Sequence, residues 1–390
     1  MRRVYFDHIA STPVHPKVRE TMLPYLDEFY GNPQSLHSFG QETAGAIESA
    51  RKKVADLIEA ETEEVFFTSS GTESNNFAIK GIAFAQRKKG THIVVSAVEH
   101  QSVLHSLKTL EKHGFSFTEV PVDQFGLVDP EKVRKAITAE TSLVSIMLAN
   151  GEVGTIEPVA EIAKVCQEQG VLCHTDAVDA VGNIPVSVKS LGVDALSLAA
   201  NQFYGPTGSA ALFLKTGTRC LPQIDGGIQE GGKRAGSENI AGIVGLGKAA
   251  EIAQKEMGVR ADKLILLRNA IIERMDRDMD HVILTGHPTM RLPHHASFCV
   301  KFIEGEAMLL NLDMKGIAAA SGSACTSRAL KASHVLLAMG LDHATAQGSL
   351  VFSLVDENTV DDVDYLFDVF PEIIERLRQM SPLYPNQEEE

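Results

Sequence analysis

Tryptophan is absent, and aromatic residues make up only 6% of the 390 positions. The 44% hydrophobic content is nevertheless ample to bury a core. Cysteine is scarce: five residues, at 166, 173, 220, 299 and 325, with no CxxC spacing. An odd set without paired spacing predicts a reduced, cytoplasmic protein with mostly inert buried thiols, and no metal site is assigned. No apolar run reaches the roughly 18 residues that a spanning helix needs. Met1-Arg2-Arg3 leads into a short apolar run interrupted by Asp7, so no signal peptide is expected there. Basic residues are outnumbered, 36 Lys and Arg against 51 Asp and Glu, for a net charge of -15. That balance disfavours nonspecific binding to nucleic acid or to an anionic membrane; small molecules or basic partners fit better. Repeats and low-complexity stretches are lacking apart from the acidic tail 387–390, which composition predicts to be disordered.

What is present is a regular alternation. Apolar runs at 65–68, 91–96, 116–122, 142–148, 171–173 and 195–200 are separated by helical stretches. This predicts an α/β fold with a mostly parallel sheet covered by helices, and the length predicts a second domain. Helices are expected at 16–29, 41–58, 240–257, 260–277 and 305–312. In parallel sheets ligands sit beyond the carboxyl ends of the strands. Asp176 follows one run and Asn201-Gln202 follows another, so they are expected in one cleft. At the turn after 65–68, Ser69-Ser70-Gly71-Thr72 opens a helix. Glycine there permits close backbone approach, and the first-turn N–H groups suit an anion. His100 stands just past the run 91–96. Of the cysteines, Cys325 alone sits in a small, polar, glycine-containing setting, SGSACTS, that would leave it exposed and able to move.

HTDAVDAVG followed by DALSLAANQFYGPTG resembles the pyridoxal phosphate (PLP) site of the cysteine desulfurases, in the class V aminotransferase family. GNPQSLHSFG at 31–40, NGEVG at 150–154, GGIQEGGKRAGSEN at 226–239, SGSACTS at 321–327 and SHVL at 333–336 extend the resemblance over about residues 3–375. It implies PLP fold-type I, with a large domain (15–255) built on a sheet of seven or so strands. A smaller α+β domain (1–14 and 256–380) would carry the Cys325 loop, leaving a tail, 381–390. It implies Asp176 at the pyridine nitrogen, Gly71 and Thr72 at the phosphate, His100 stacked on the ring and moving protons, and Asn150 near the ring hydroxyl. Asn201 would lie on the phosphate side. Ser237 would sit on a loop that reaches the partner subunit of a homodimer.

The departures from the pattern lie in the same cleft. The family's PLP-binding lysine falls 26 residues after the aspartate, and Gln202 stands there. An amide can neither tether the cofactor nor transfer protons as the lysine does. The family's serine and histidine before it are Ala199 and Asn201. The glutamine three residues after the aspartate is Asp179, whose negative charge would face the phenolate oxygen. The arginine that grips the substrate carboxylate is Val351, which forfeits a charge-assisted interaction of roughly 1.5–3 kcal/mol. The expectation is a desulfurase-like protein of sulfur mobilisation or iron-sulfur cluster assembly. It would be degenerate in PLP chemistry, without covalent attachment, and would retain Cys325 as a persulfide carrier. Its partners would be a sulfur acceptor, a scaffold protein or a genuine desulfurase. The alternative is an active desulfurase, converting L-cysteine to L-alanine and a persulfide with non-covalently held PLP.

Overall fold

The computed structural model describes residues 2–322 and 332–385. Its strands are β1 (Val4–Tyr5), β2 (Val65–Thr68), β3 (His92–Ser96), β4 (Ser116–Val120), β5 (Thr141–Ser145) and β6 (Leu172–Asp176). They continue with β7 (Ala195–Ala199), β8 (Ala210–Leu214), β9 (Val282–Leu284), β10 (His295–Val300), β11 (Ile317–Ala318) and β12 (Ser349–Ser353). Seven of them form one sheet in the order β2-β8-β7-β6-β5-β3-β4. The five strands from β7 to β4 in that order run parallel; β8 is antiparallel to both β7 and β2. The α/β fold-type I architecture expected from the sequence is the one observed, with a mixed edge.

β3, β5, β7 and β8 are buried at every position, as strands covered on both faces must be. Successive residues of β3 fall in different apolar clusters. Val94 joins the helices Ser38–Ile58 and Val159–Gln169, whereas Ile93 and Val95 join Gly71–Gln86 and Gln101–Glu111. A third cluster draws on both ends of the chain. Phe352 packs edge-on against Phe6 and Phe370 there, in a core that also holds Leu264, Ile271 and Phe298.

Three of the expected helices differ from what is observed. The segment expected to be helical over 16–29 divides into Pro16–Met22 and Pro24–Asp27, because Pro24 brings no N–H to continue the ladder. Conversely, 240–257 and 260–277 are one helix, Ile240–Asp278. Gly258, between them, lowers helix propensity by only about 1 kcal/mol, which packing on both sides outweighs.

Candidate functional site

The carboxyl ends of β3, β5, β6 and β7 converge on one region. Asp176 ends β6 and is buried, with Oδ1 accepting from the Val178 N–H (3.1 Å) and Oδ2 from Asn75 Nδ2 (2.6 Å). Burial raises its pKa, partly offset by nearby His100. Asn75 comes from the helix Gly71–Gln86, whose N-cap is Ser70. A Cβ on Gly71 would lie 2.5 Å from Val178 Cγ2, so any side chain there would have to displace Val178 for the helix to start against the Asp176 loop. Thr72 is exposed at that helix's first turn, where backbone N–H groups have no helical acceptor. His100 caps the helix Gln101–Glu111 and is itself exposed.

Opposite lies the turn after β7. Gln202 is buried, and its Nε2 donates to the Ile9 carbonyl (2.8 Å). Thr12 doubles the attachment: its N–H and hydroxyl donate to the Asn201 carbonyl, and its hydroxyl accepts from the Tyr204 N–H. The segment 9–12 is thereby strapped across the turn. Asn183 Nδ2 donates to the carbonyls of both Asp179 and Gln202, joining the two loops. Sequence had placed Asp176 and Asn201-Gln202 together, and these contacts bring their loops together.

The other expected residues fall as follows. Asn150 is buried, with Nδ2 donating to the Val98 carbonyl (3.0 Å) and Oδ1 accepting from the N–H groups of Glu152 and Val153, so its amide holds its own loop. Ala199 is buried in register with Ala210 and offers no hydroxyl. Ser237 is exposed. Val351 is buried on β12, exchanging backbone hydrogen bonds with Ala320. Cys325 lies outside the described residues. Asp179 is partly exposed as a residue, but its carboxyl turns inward: a Cβ on Gly151 would lie 2.4 Å from Oδ2. Burial, with Asp176 beside it, pushes Asp179 up to about 8. Both causes favour the protonated carboxyl over the negative charge expected from the sequence.

Sequence reading missed Ile9, Asn75 and Ser102, which become visible only when distant segments meet. It also missed a set of buried ionisable groups. Glu99 and Glu157 are pushed up to about 8 by burial. Glu152 is pushed to the same value by burial, despite a hydrogen bond from Ser333, and its Oε1 packs against Gly322. Burial lowers His8 and His294 to about 4 and His174 to about 3.

These groups set a pH window for stability. The native acids keep protons that the unfolded chain releases above about pH 4.5, so stability falls as pH rises through 8. The native histidines stay neutral while the unfolded chain takes up protons below about 6.5, so stability also falls as pH drops towards 4. Calorimetry should find Tm highest between about pH 5 and 6.5 and lower by roughly 5 °C at about pH 9. A Tm rising steadily from pH 6 to 9 would contradict this assignment.

The chain matches the model of the family described as Aminotransferase class-V over residues 4–366. It is 49% identical over 385 residues to the cysteine desulfurase IscS of Clostridium botulinum, covering 98% of this chain and 97% of that one. To the cysteine desulfurase IscS of Methanosarcina thermophila it is 48% identical, covering 99% and 95%. A solved NifS-like protein superposes with a TM-score of 0.90 at 37% identity, over 96% of this chain and all of that one.

Proposed function

The chain belongs to the class-V aminotransferases, within them to the cysteine desulfurases, and we propose that it serves sulfur mobilisation for iron-sulfur cluster assembly without tethering a cofactor. By family resemblance the cofactor is PLP, which when bound supplies an electron sink for the substrate. Fit differs between the ends of the site. Asp176 is oriented by Val178 and Asn75 to balance a ring nitrogen, and the helix starting at Gly71 offers free N–H groups to a phosphate. Residue 202 does not fit a covalent tether. The observation that carries this reading is the Gln202 amide donating to Ile9, where the family pattern has its lysine. Asp176 would then hold charge and His100 would hold a proton, with no amine to capture the cofactor. A protonated Asp179 would donate a hydrogen bond rather than repel.

The sulfur function would rest on Cys325. Its thiolate attacks the outer sulfur of a donor persulfide; the new S–S bond forms as the donor's breaks, and the donor leaves as a thiolate, with no net redox change. The chain is further proposed to be cytoplasmic and divided as the sequence suggests. It would be a homodimer, for which the exposed Tyr30, Leu36, Phe39 and Ile228 and the loop at Ser237 give support. Partners would be a genuine desulfurase upstream and an acceptor or scaffold downstream. Incubation with a complete desulfurase and L-cysteine should add one reducible sulfur to this chain by intact mass, and none to Cys325→Ser. No added sulfur would sink the carrier role. Alanine and sulfide formed by the chain alone with PLP would favour the second reading, an active enzyme with untethered cofactor, for which the oriented Asp176 speaks.

A further inference from the structure

Asn75, which orients Asp176, and Ser102, which no role above requires, connect His100 to Asp176. Asn75 Nδ2 carries two hydrogens, one directed at Asp176 Oδ2 (2.6 Å) and one at Ser102 Oγ (2.9 Å). Ser102 Oγ thus accepts from Asn75 and lies 2.7 Å from His100 Nδ1. The backbone N–H of Ser102 points at the same ring nitrogen, at 3.1 Å. A backbone N–H can only donate, so Nδ1 must present a lone pair. The Ser102 hydroxyl, with its acceptor side engaged by Asn75, supplies its proton to that nitrogen as well.

We propose that Ser102 and Asn75 are positioning residues that hold neutral His100 as the Nε2–H tautomer and tie it to the Asp176 carboxylate. His100 is exposed, and its Nδ1 is closed by Ser102, so Nε2–H is the group it offers outward. In this form the ring presents a hydrogen-bond donor outward, while its basic nitrogen, Nδ1, is turned to Ser102. The direction of every bond is set from the buried end. Asp176 Oδ2 accepts from Asn75 Nδ2, so Asn75 turns its NH2 towards Asp176, and that orientation fixes Ser102 and then His100. The target of the Nε2 proton rests on the cleft reading given above; the tautomer does not.

Long-range 1H–15N correlation on histidine-labelled full-length protein without added cofactor tests the arrangement, with His100 assigned by its loss in His100→Gln. The wild type should show one neutral form, protonated at Nε2. Ser102→Ala should raise the Nδ1–H to Nε2–H ratio about five- to tenfold, the loss of one ordinary hydrogen bond, and Ser102→Thr should restore it. Asn75→Ala should raise the ratio too, although Asn75 is on another helix and takes no part in capping. A simple capping role for His100 predicts no change in that variant. A wild-type spectrum showing Nδ1–H would overturn the proposal outright, even if the Asn75 variant failed to fold. PLP binding is not measured, so failure here leaves the proposed function standing.

Discussion

Gln202→Lys is expected to convert a protein that gives no borohydride-reducible adduct with PLP into one that captures the aldehyde in near-stoichiometric amount. The position is prepared for it. Residue 202 ends a tight turn directly after β7, its backbone carbonyl is held by Asn183, and its side chain is buried. Burial disfavours the charged form of a lysine and raises the fraction of nucleophilic amine. The substitution removes the hydrogen bond from the Gln202 amide to the Ile9 carbonyl, about 1 kcal/mol of net stability, while the two Thr12 hydrogen bonds to Asn201 keep the strap in place. Reduction followed by peptide mapping should place the adduct on residue 202. If the folded variant gives none, the strap at Ile9 has closed the cleft, and the non-covalent reading fails with it. The all-or-none character of this result makes it the sharpest check on the assignment of residue 202.

Much of the frame could be read from the chain because the signals were local. The runs of β3, β5 and β7 carry no Asp, Glu, Lys or Arg and no regular apolar–polar alternation across all five positions, which fits strands covered on both sides, and all three are buried at every position. Asp176 and Gln202 follow such runs directly, which places them at one end of the sheet before any coordinates are known. What stayed hidden depends on distant residues meeting. Asn75 reaches Asp176 across 101 positions of sequence, and Gln202 reaches Ile9 across 193. No period or motif encodes such a contact. Charge was the least legible property. Asp179 reads as an anion in sequence, yet its carboxyl lies against Gly151 beside Asp176, and burial with that neighbour pushes it towards its protonated form. The helix Ile240–Asp278 shows the same limit from the other side, since the break expected between 257 and 260 falls at Gly258, whose penalty is too small to break a packed helix.

Gln202→Lys alone should still turn over L-cysteine poorly, and adding Val351→Arg is expected to raise kcat/KM on the order of 10²-fold, the effect of one or two charge-assisted hydrogen bonds to the substrate carboxylate. Strand alternation aims the new side chain. Leu350 and Phe352 belong to the apolar cluster behind β12, so Ser349, Val351 and Ser353 share the opposite face. On that face Ser353 Oγ accepts from the Ile9 N–H (2.7 Å) and Ser349 Oγ from the Gly322 N–H (3.1 Å). Val351 therefore lies between the strap that Gln202 holds and the residue from which the chain proceeds towards Cys325. An arginine here must desolvate at a site where valine is 3% exposed, so the double variant should melt a few degrees lower unless substrate or another anion is present. The gain should appear mainly in KM, because a carboxylate is gripped equally in ground and transition states. Cysteamine, which has the amine and thiol but no carboxylate, supplies the control. If Val351→Arg accelerates cysteamine as much as L-cysteine, the arginine acts by something other than holding a carboxylate, and position 351 is not the lost anchor.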